Sequence, residues 1–343
     1  MKSGLNQEKE AGIESAIKAA SLCRKVQREM VGLKKEGALE KSDRSPVTVA
    51  DYGAQAIICH ALKEAFPDVT IVAEENSSLL RLPENRHLLD RTTSFVEQIL
   101  EEEVGRQQVC DWIDLGCGQP GHRFWTLDPI DGTKGFLRGD QYAVALAFVV
   151  DRKVQFGILA CPNLSFRLPS DRAMDKKKGD SSGSSGSLYV GEAGEGAYMM
   201  SLDRRQVTPL HVSATDDPAR ARFIESFEPS HADLAAQQKI AQSLRNGLSS
   251  IRMDSQTKYG MLARGAADVY LRLPSPETPD YREKIWDHAA GSLIVEEAGG
   301  VVTDIHGTAL DFGLGKKLSA NQGIVATNGK IHSAVIEAIQ ASY

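Results

Sequence analysis

The chain has 343 residues, room for two cores, and its 41% hydrophobic and 25% charged residues are ordinary for a globular protein. Its net charge of −6 excludes the basic surface that coats nucleic acid, but not a small anionic ligand, because bound metal ions reverse the local sign. No apolar run approaches the roughly 18 residues that span a bilayer, no signal sequence is visible, and the odd count of five cysteines lacks a Cys-x-x-Cys pair, so membrane, zinc-site and disulfide-framework classes are all disfavoured.

A helix is predicted over residues 12–32, with Ile13, Ala16, Ile17, Ala20 and Cys23 on one face. A charged, turn-rich loop leads to Pro46. A second helix spans residues 51–66, its apolar face made by Ala54, Ile57, Ile58, Ala61, Leu62 and Ala65, and Pro67-Asp68 stops it. Val69–Ala73 reads as a short buried strand ending at Glu74 and Glu75. Residues 81–103 are charged and helical, and are expected to form an exposed subdomain able to move over the site. Cys110 and Cys117 flank a polar loop and are expected at the surface, while Cys23, Cys59 and Cys161 read as small core residues. Residues 142–150 and 154–161 are strands around the turn Asp151-Arg152-Lys153, expected to pair antiparallel at the centre of a first sheet.

The segment 171–187, with Lys176-Lys177-Lys178 followed by a Gly/Ser run, cannot bury apolar surface and is expected to be a disordered surface loop. Strands resume over 188–200, with Gly191, Gly194 and Gly196 read as turns. From about Pro209 strands and helices alternate: strands at 223–227, 250–253, 269–273, 301–303 and 323–326, and helices at 231–244, 255–264, 287–298 and 331–339. Gly299-Gly300 caps the 287–298 helix. An α+β first half (1–205) and an α/β second half (206–343) follow.

The densest chemical signal is Trp125-Thr126-Leu127-Asp128-Pro129-Ile130-Asp131-Gly132-Thr133: an extended run, a carboxylate, a Pro turn, a second carboxylate, then Gly and a hydroxyl. Hard divalent cations take oxygen ligands, and Mg2+ usually needs only one or two carboxylates plus substrate phosphate. Glu74-Glu75 at a strand end, Asp51 at a helix start and Asp287 in a helix first turn offer further carboxylates on rigid elements. Taken singly, Asp51 and Asp287 also read as plain helix caps. In the second half, Ser255 and Lys258 are spaced i, i+3 on an expected helix whose first N–H groups favour an anion, and Arg272 ends a strand; each alone also reads as a solvated polar residue. His231, between a strand and a helix, reads singly as a cap or surface histidine.

Together, Val47-Thr48-Val49-Ala50-Asp51, Val72-Ala73-Glu74-Glu75, Asp128–Thr133 and Trp286-Asp287-His288-Ala289-Ala290-Gly291 resemble the lithium-sensitive, magnesium-dependent phosphomonoesterases of the inositol monophosphatase type. The phrases Gly135–Leu146, Asp254-Ser255-Gln256-Thr257-Lys258-Tyr259-Gly260 and Val269-Tyr270-Leu271-Arg272-Leu273-Pro274 are similar to its 3′(2′),5′-bisphosphate nucleotidase branch. The resemblance runs from about Ala11 to about Ala334.

The resemblance implies a layered α-β-α-β-α architecture, two or three Mg2+ ions and inhibition by Li+. It implies one Mg2+ on Glu74, Asp128 and the Ile130 carbonyl, and a second on Asp128, Asp131 and Asp287, with Glu75 near a further ion. Asp51 and Thr133 resemble the pair that orients the attacking water. Thr133 and Asp287 also belong to the implied substrate contacts, with His231, Ser255, Lys258 and Arg272. The implied reaction removes the 3′-phosphate of 3′-phosphoadenosine 5′-phosphate, with the corresponding phosphosulfate as a further substrate. The alternatives are an inositol polyphosphate 1-phosphatase, a non-catalytic nucleotide sensor and a two-metal nucleotidyltransferase. The retained Thr133 and acidic set disfavour the sensor, and the lack of a basic surface disfavours the transferase. A cytoplasmic monomer or weak homodimer, with no nucleic-acid or membrane partner, is expected.

Overall fold

A computed structural model describes residues 5–32, 38–40, 46–166, 186–227, 234–245, 247, 250–275 and 277–342. In chain order they form α1 (Asn6–Gly32), β1 (Ala38–Glu40), β2 (Pro46–Thr48), α2 (Val49–Ala65), β3 (Thr70–Ala73), α3 (Arg86–Leu100), α4 (Arg106–Asp114), β4 (Arg123–Asp131), α5 (Thr133–Arg138), β5 (Ala143–Val150), β6 (Lys153–Cys161), β7 (Ser187–Glu192), β8 (Gly196–Ser201) and β9 (Val207–Pro209). Then come β10 (Phe223–Glu225), α6 (Leu234–Ser243), β11 (Ser250–Arg252), α7 (Thr257–Ala263), β12 (Val269–Arg272), α8 (Ala289–Glu297), β13 (Val301–Thr303), β14 (Ile324–Thr327) and α9 (His332–Gln340). The predicted loop at 171–185 and His231 lie outside the described residues.

Alternation along the strands sorts their side chains into layers. A seven-stranded sheet, ordered β3-β4-β5-β6-β7-β8-β9, sends Trp125, Leu146, Phe148, Phe156 and Ile158 to one face, where α1, α2, α3 and α4 cover them. Trp125 lies 4.8 Å from Phe148 and 5.2 Å from Phe156, centroid to centroid, and such buried rings are each worth roughly 1.5–3 kcal/mol of burial. The opposite face, with Ala145, Ala147, Leu159 and Tyr189, packs on α7 and α8. These helices rest in turn on Tyr270, Ile324 and Ala326 of a five-stranded sheet ordered β11-β10-β12-β14-β13. Its far face, with Phe223, Val269, Leu271 and Val325, is closed by α6 and α9. The result is the α-β-α-β-α layering that the resemblance implies. As predicted, β5 and β6 pair antiparallel at the centre of the first sheet.

Four expectations change. Residues 81–103 are not a free subdomain: Leu88, Phe95 and Val96 of α3 enter the first core and pack α3 on α2. Helix α2 is buried on all sides through Cys59 rather than on one face, because α1, α3, α4 and β4 surround it. Cys110 is buried and Cys117 is exposed, since Cys110 lies inside helix α4 and Cys117 beyond its end. Gly191 also lies inside β7, not in a turn; Gly194 and Gly196, with positive φ, make the β7–β8 turn.

Close layer spacing depends on glycine. A Cβ on Gly157 of β6 would sit 2.5 Å from the Ala290 carbonyl oxygen, so α8 reaches the sheet only because that position is bare. The clash is with backbone, which cannot move without carrying the Asp287 segment along. Gly157→Ala is therefore expected to cost about 1–3 kcal/mol, read as a fall in chemical-denaturation midpoint; an unchanged midpoint would show that α8 is not seated by this contact.

Candidate active site

The site forms where strand ends of the first sheet meet the start of α8. Parallel pairing of β3 with β4 sets Ala73 opposite Leu127, and the Glu74 N–H donates to the Leu127 carbonyl at 3.1 Å. That register carries Glu74 and Asp128 to the same end of neighbouring strands. Residues three apart on a regular strand point to opposite faces. Here the register of β4 against β5 runs Asp128↔Ala145 and then Asp131↔Ala143, so one extra residue is inserted on β4. This bulge at Pro129-Ile130 returns Asp131 to the face that Asp128 occupies, the face that looks toward α7 and α8. Asp128 is buried, and its Oδ1 accepts from the Ile130 N–H at 3.0 Å.

Asp51 belongs to the same corner. Thr48 caps α2, and Asp51 Oδ2 accepts from the Thr48 N–H at 2.8 Å, a capping box. Its other oxygen, Oδ1, accepts from the Thr133 hydroxyl at 3.2 Å, and that hydroxyl also lies 3.2 Å from the Ile130 carbonyl. Asp51 is therefore both a cap and a partner of Thr133, so the two readings of this residue are not exclusive.

Asp287 ends a 3-10 turn, Ile285–Asp287, packed against β4. Burial raises its pKa, and the charges of Asp131 and Glu74 raise it further. Asp131 is likewise raised by burial, against the opposing pull of Lys258 and of the Gln256 N–H that donates to its Oδ2 at 2.6 Å. Like charges crowded in a low-dielectric corner are unfavourable until a cation joins them. An all-oxygen set drawn from rigid elements is the donor chemistry that a hard divalent ion takes, so these residues fit such an ion.

Of the expected substrate residues, Ser255, Lys258 and Arg272 converge near Asp131, but not as a helix face. Helix α7 begins only at Thr257; Ser255 stands outside it with φ +67° and lies against Gly132. The first N–H groups are already engaged, that of Gln256 by Asp131 and that of Thr257 by the Ser255 hydroxyl at 3.2 Å, so the expected anion seat at the helix start is not available. Lys258 is buried, with Nζ 3.3 Å from the Met253 carbonyl and 5.2 Å from the Tyr270 ring centroid. Burial pushes its pKa down to about 8, while Asp131 pulls the other way.

Arg272 is not free either. Its Nε donates to Glu283 Oε1 at 2.9 Å, and its charge also lies close enough to Tyr270 and Tyr281 to favour their ionised forms. Glu283 Oε2 lies 3.2 Å from His288 Nε2, and His288 Nδ1 lies 2.8 Å from the Tyr259 hydroxyl. A neutral imidazole protonated on Nε2 satisfies both contacts. Among the described residues, donor atoms of Glu283, Asp287 and His288 lie within 4.8 Å of one another. Both Glu283 oxygens are spent on Arg272 and His288, however, so this trio is a polar network and not a further metal set. Glu283, His288, Gln55 and Gln256 were missed in the sequence; a lone buried Glu or Gln has no spacing signature.

The model of the inositol monophosphatase family matches residues 5–343. The chain belongs to the inositol monophosphatase family. It is 42% identical over 334 residues to a rice (Oryza sativa) protein named 3′(2′),5′-bisphosphate nucleotidase, covering 94% of this chain and 90% of that one. A Schizosaccharomyces pombe protein of the same name is 40% identical, covering 97% and 95%. Among solved structures, an IMPase of Thermotoga maritima superposes with a TM-score of 0.64 at 20% identity over 98% of this chain and 97% of that one. CysQ of Bacteroides thetaiotaomicron gives 0.56 at 19%, covering 94% and 98%. These likenesses carry the fold. No helix among the described residues is long and apolar enough to cross a membrane.

The Glu283 network makes a pH-dependent contribution to stability. Burial alone would raise the Glu283 pKa, but Arg272 and then His288 hold it down to about 2, below its ordinary 4.5. A depressed carboxylate stabilises above the unfolded pKa and loses that contribution as pH falls through the folded one. Glu283→Gln leaves Arg272 buried without its counter-charge and is expected to cost about 3–5 kcal/mol at neutral pH. The gap to the unsubstituted protein should close as denaturation is measured from about pH 4.5 down toward 2; a gap independent of pH would refute the ion pair.

Proposed function

We propose that this family member is a Mg2+-dependent 3′(2′),5′-bisphosphate nucleotidase that hydrolyses the 3′-phosphate of 3′-phosphoadenosine 5′-phosphate to AMP, and accepts the corresponding phosphosulfate. The observation that carries the reading is the Asp51–Thr133 contact set beside a buried carboxylate corner, with two cations, Lys258 and Arg272, on its other side. The relatives' shared name supports the substrate.

Glu74, Asp128 and the Ile130 carbonyl would hold one ion, and Asp128, Asp131 and Asp287 a second. Bound there, the ions supply charge stabilisation for the phosphoryl oxygens and acidify the attacking water. Everything else falls to the chain's own groups. The Thr133 hydroxyl donates to Asp51, which leaves its lone pairs to accept from the water's O–H. As water adds to phosphorus, its proton passes to Thr133 Oγ1 and the Thr133 proton to Asp51. The phosphorus–O3′ bond breaks in line, the departing O3′ oxygen takes a proton from solvent to become the 3′-hydroxyl, and no covalent phospho-enzyme forms. Lys258 and Arg272 take the distal 5′-phosphate, which turns remote binding energy into alignment. His231 is assigned to the nucleoside side by the resemblance alone.

Asp131→Asn is expected to lower kcat by roughly a hundredfold or more, because a transition-state charge partner is lost, while circular dichroism stays unchanged; near-normal turnover at saturating Mg2+ rejects the assignment. Phosphate release from a panel of bisphosphorylated nucleotides and inositols, with Mg2+ titrated, separates this function from an inositol polyphosphate phosphatase. Lys258→Met keeps volume and removes a buried charge. A charge-assisted contact is worth roughly 1.5–3 kcal/mol, so this variant should lose about ten- to a hundredfold in kcat/KM on 3′-phosphoadenosine 5′-phosphate and little on adenosine 3′-monophosphate. Equal losses on both substrates would remove Lys258 from the distal-phosphate role.

A further inference from the structure

The turns that carry Glu74 and Asp287 leave their sheet and helix ladders just where the carboxylates must be held still. Buried backbone groups in such turns need partners. Each turn gets them from one buried glutamine. Gln55 of α2, fully buried, donates from Nε2 to the Glu75 carbonyl at 2.7 Å and to the Ile113 carbonyl at 2.9 Å, and its Oε1 accepts from the Glu75 N–H at 3.0 Å. It thus exchanges both bonds with Glu75, as a paired strand residue would. Gln256, 2% exposed, donates from Nε2 to the Trp286 carbonyl at 2.9 Å and accepts on Oε1 from the Gly291 N–H at 3.2 Å, bracketing Asp287. Its own N–H holds Asp131.

We infer that Gln55 and Gln256 are positioning residues that set metal affinity by clamping the backbone on which Glu74 and Asp287 stand. The inference rests on the metal-dependent reading above. A carboxamide suits this task because it carries donor and acceptor together on a neutral group. A lysine or arginine would also satisfy the carbonyls, but its charge would neutralise the carboxylates and compete with the cation. The clamps fix geometry and leave the negative charge for the metal.

The test uses the full chain stripped of metal. Mn2+ dissociation constants are measured by paramagnetic titration for Gln55→Leu and Gln256→Leu, and for Gln55→Asn and Gln256→Asn, which keep the amide but shorten its reach. All four are expected to bind Mn2+ at least about tenfold more weakly, the scale of loss typical when a group supporting a metal ligand is removed. Val335→Ala in α9, remote from the site, is expected to lower Tm with Mn2+ affinity unchanged. Glutamine variants that lose Tm yet bind Mn2+ like the unsubstituted protein overturn the inference and leave the residues as structural. Asp128→Asn separates the two levels: if it too leaves Mn2+ binding intact, the metal-dependent reading itself fails. A readout without substitution is hydrogen exchange of the unsubstituted protein. Because coupling is reciprocal, the Glu75 and Gly291 amides should become more protected when Mg2+ is added, and unchanged protection at both overturns the clamp.

Discussion

Everything in this structure is arranged around carboxylates that repel one another. Burial raises the pKa of both Asp131 and Asp287, and the charges of Asp131 and Glu74 raise Asp287 further. Such a corner is destabilising on its own and persists only because the layers around it over-determine the positions. The β4 bulge turns Asp131 inward, the bare Gly157 lets α8 approach, and the two glutamines fix the turns between. Stability given up at the site is supplied by the aromatic core under β4–β6 and by the burial of α2.

The cations nearby do not collapse onto these carboxylates. Arg272 lies within electrostatic reach of Asp287, yet it is bonded to Glu283. Without Glu283, the simplest resting place for the guanidinium would be the carboxylate corner, which would cancel the charge that a metal needs. Glu283 therefore separates two opposite electrostatic regions a few ångströms apart. Its second oxygen ties the arrangement to His288 and so to the start of α8.

Much of this was legible in the sequence, for identifiable reasons. The run from Trp125 to Thr133 announced a strand ending in two carboxylates, because its apolar residues, Pro and Gly each have strong local preferences. What could not be read was the bulge, since Asp128 and Asp131 face together only through the register against β5. The same limit explains Ser255: the pattern of α7 extends back to it, but it lies against Gly132 in a left-handed conformation outside the helix, while the next residue's N–H bonds to Asp131. Residues 81–103 looked exposed because charge dominates their composition, whereas the few apolar residues Leu88, Phe95 and Val96, with Leu89, Ile99 and Leu100 beside them, dock α3 on the core. The amphipathic reading of α2 failed in the opposite sense, because small residues such as Ala50, Gly53 and Ala56 are buried without announcing it.

The two electrostatic regions also constrain what the site can bind well. A monoanion would satisfy the carboxylate side only through a cation and would leave Lys258 buried with little compensation. Burial pushes the lysine down to about 8, so its charge is held there at a cost. Under the proposed function, a ligand with two phosphates set apart would match the arrangement: one would meet the carboxylate corner through its cation, and the other would restore the counter-charge that burial denies Lys258. Since that second interaction would lie away from the reacting bond, its energy would go into holding the first phosphate in line with Thr133 without tightening the ground state at phosphorus.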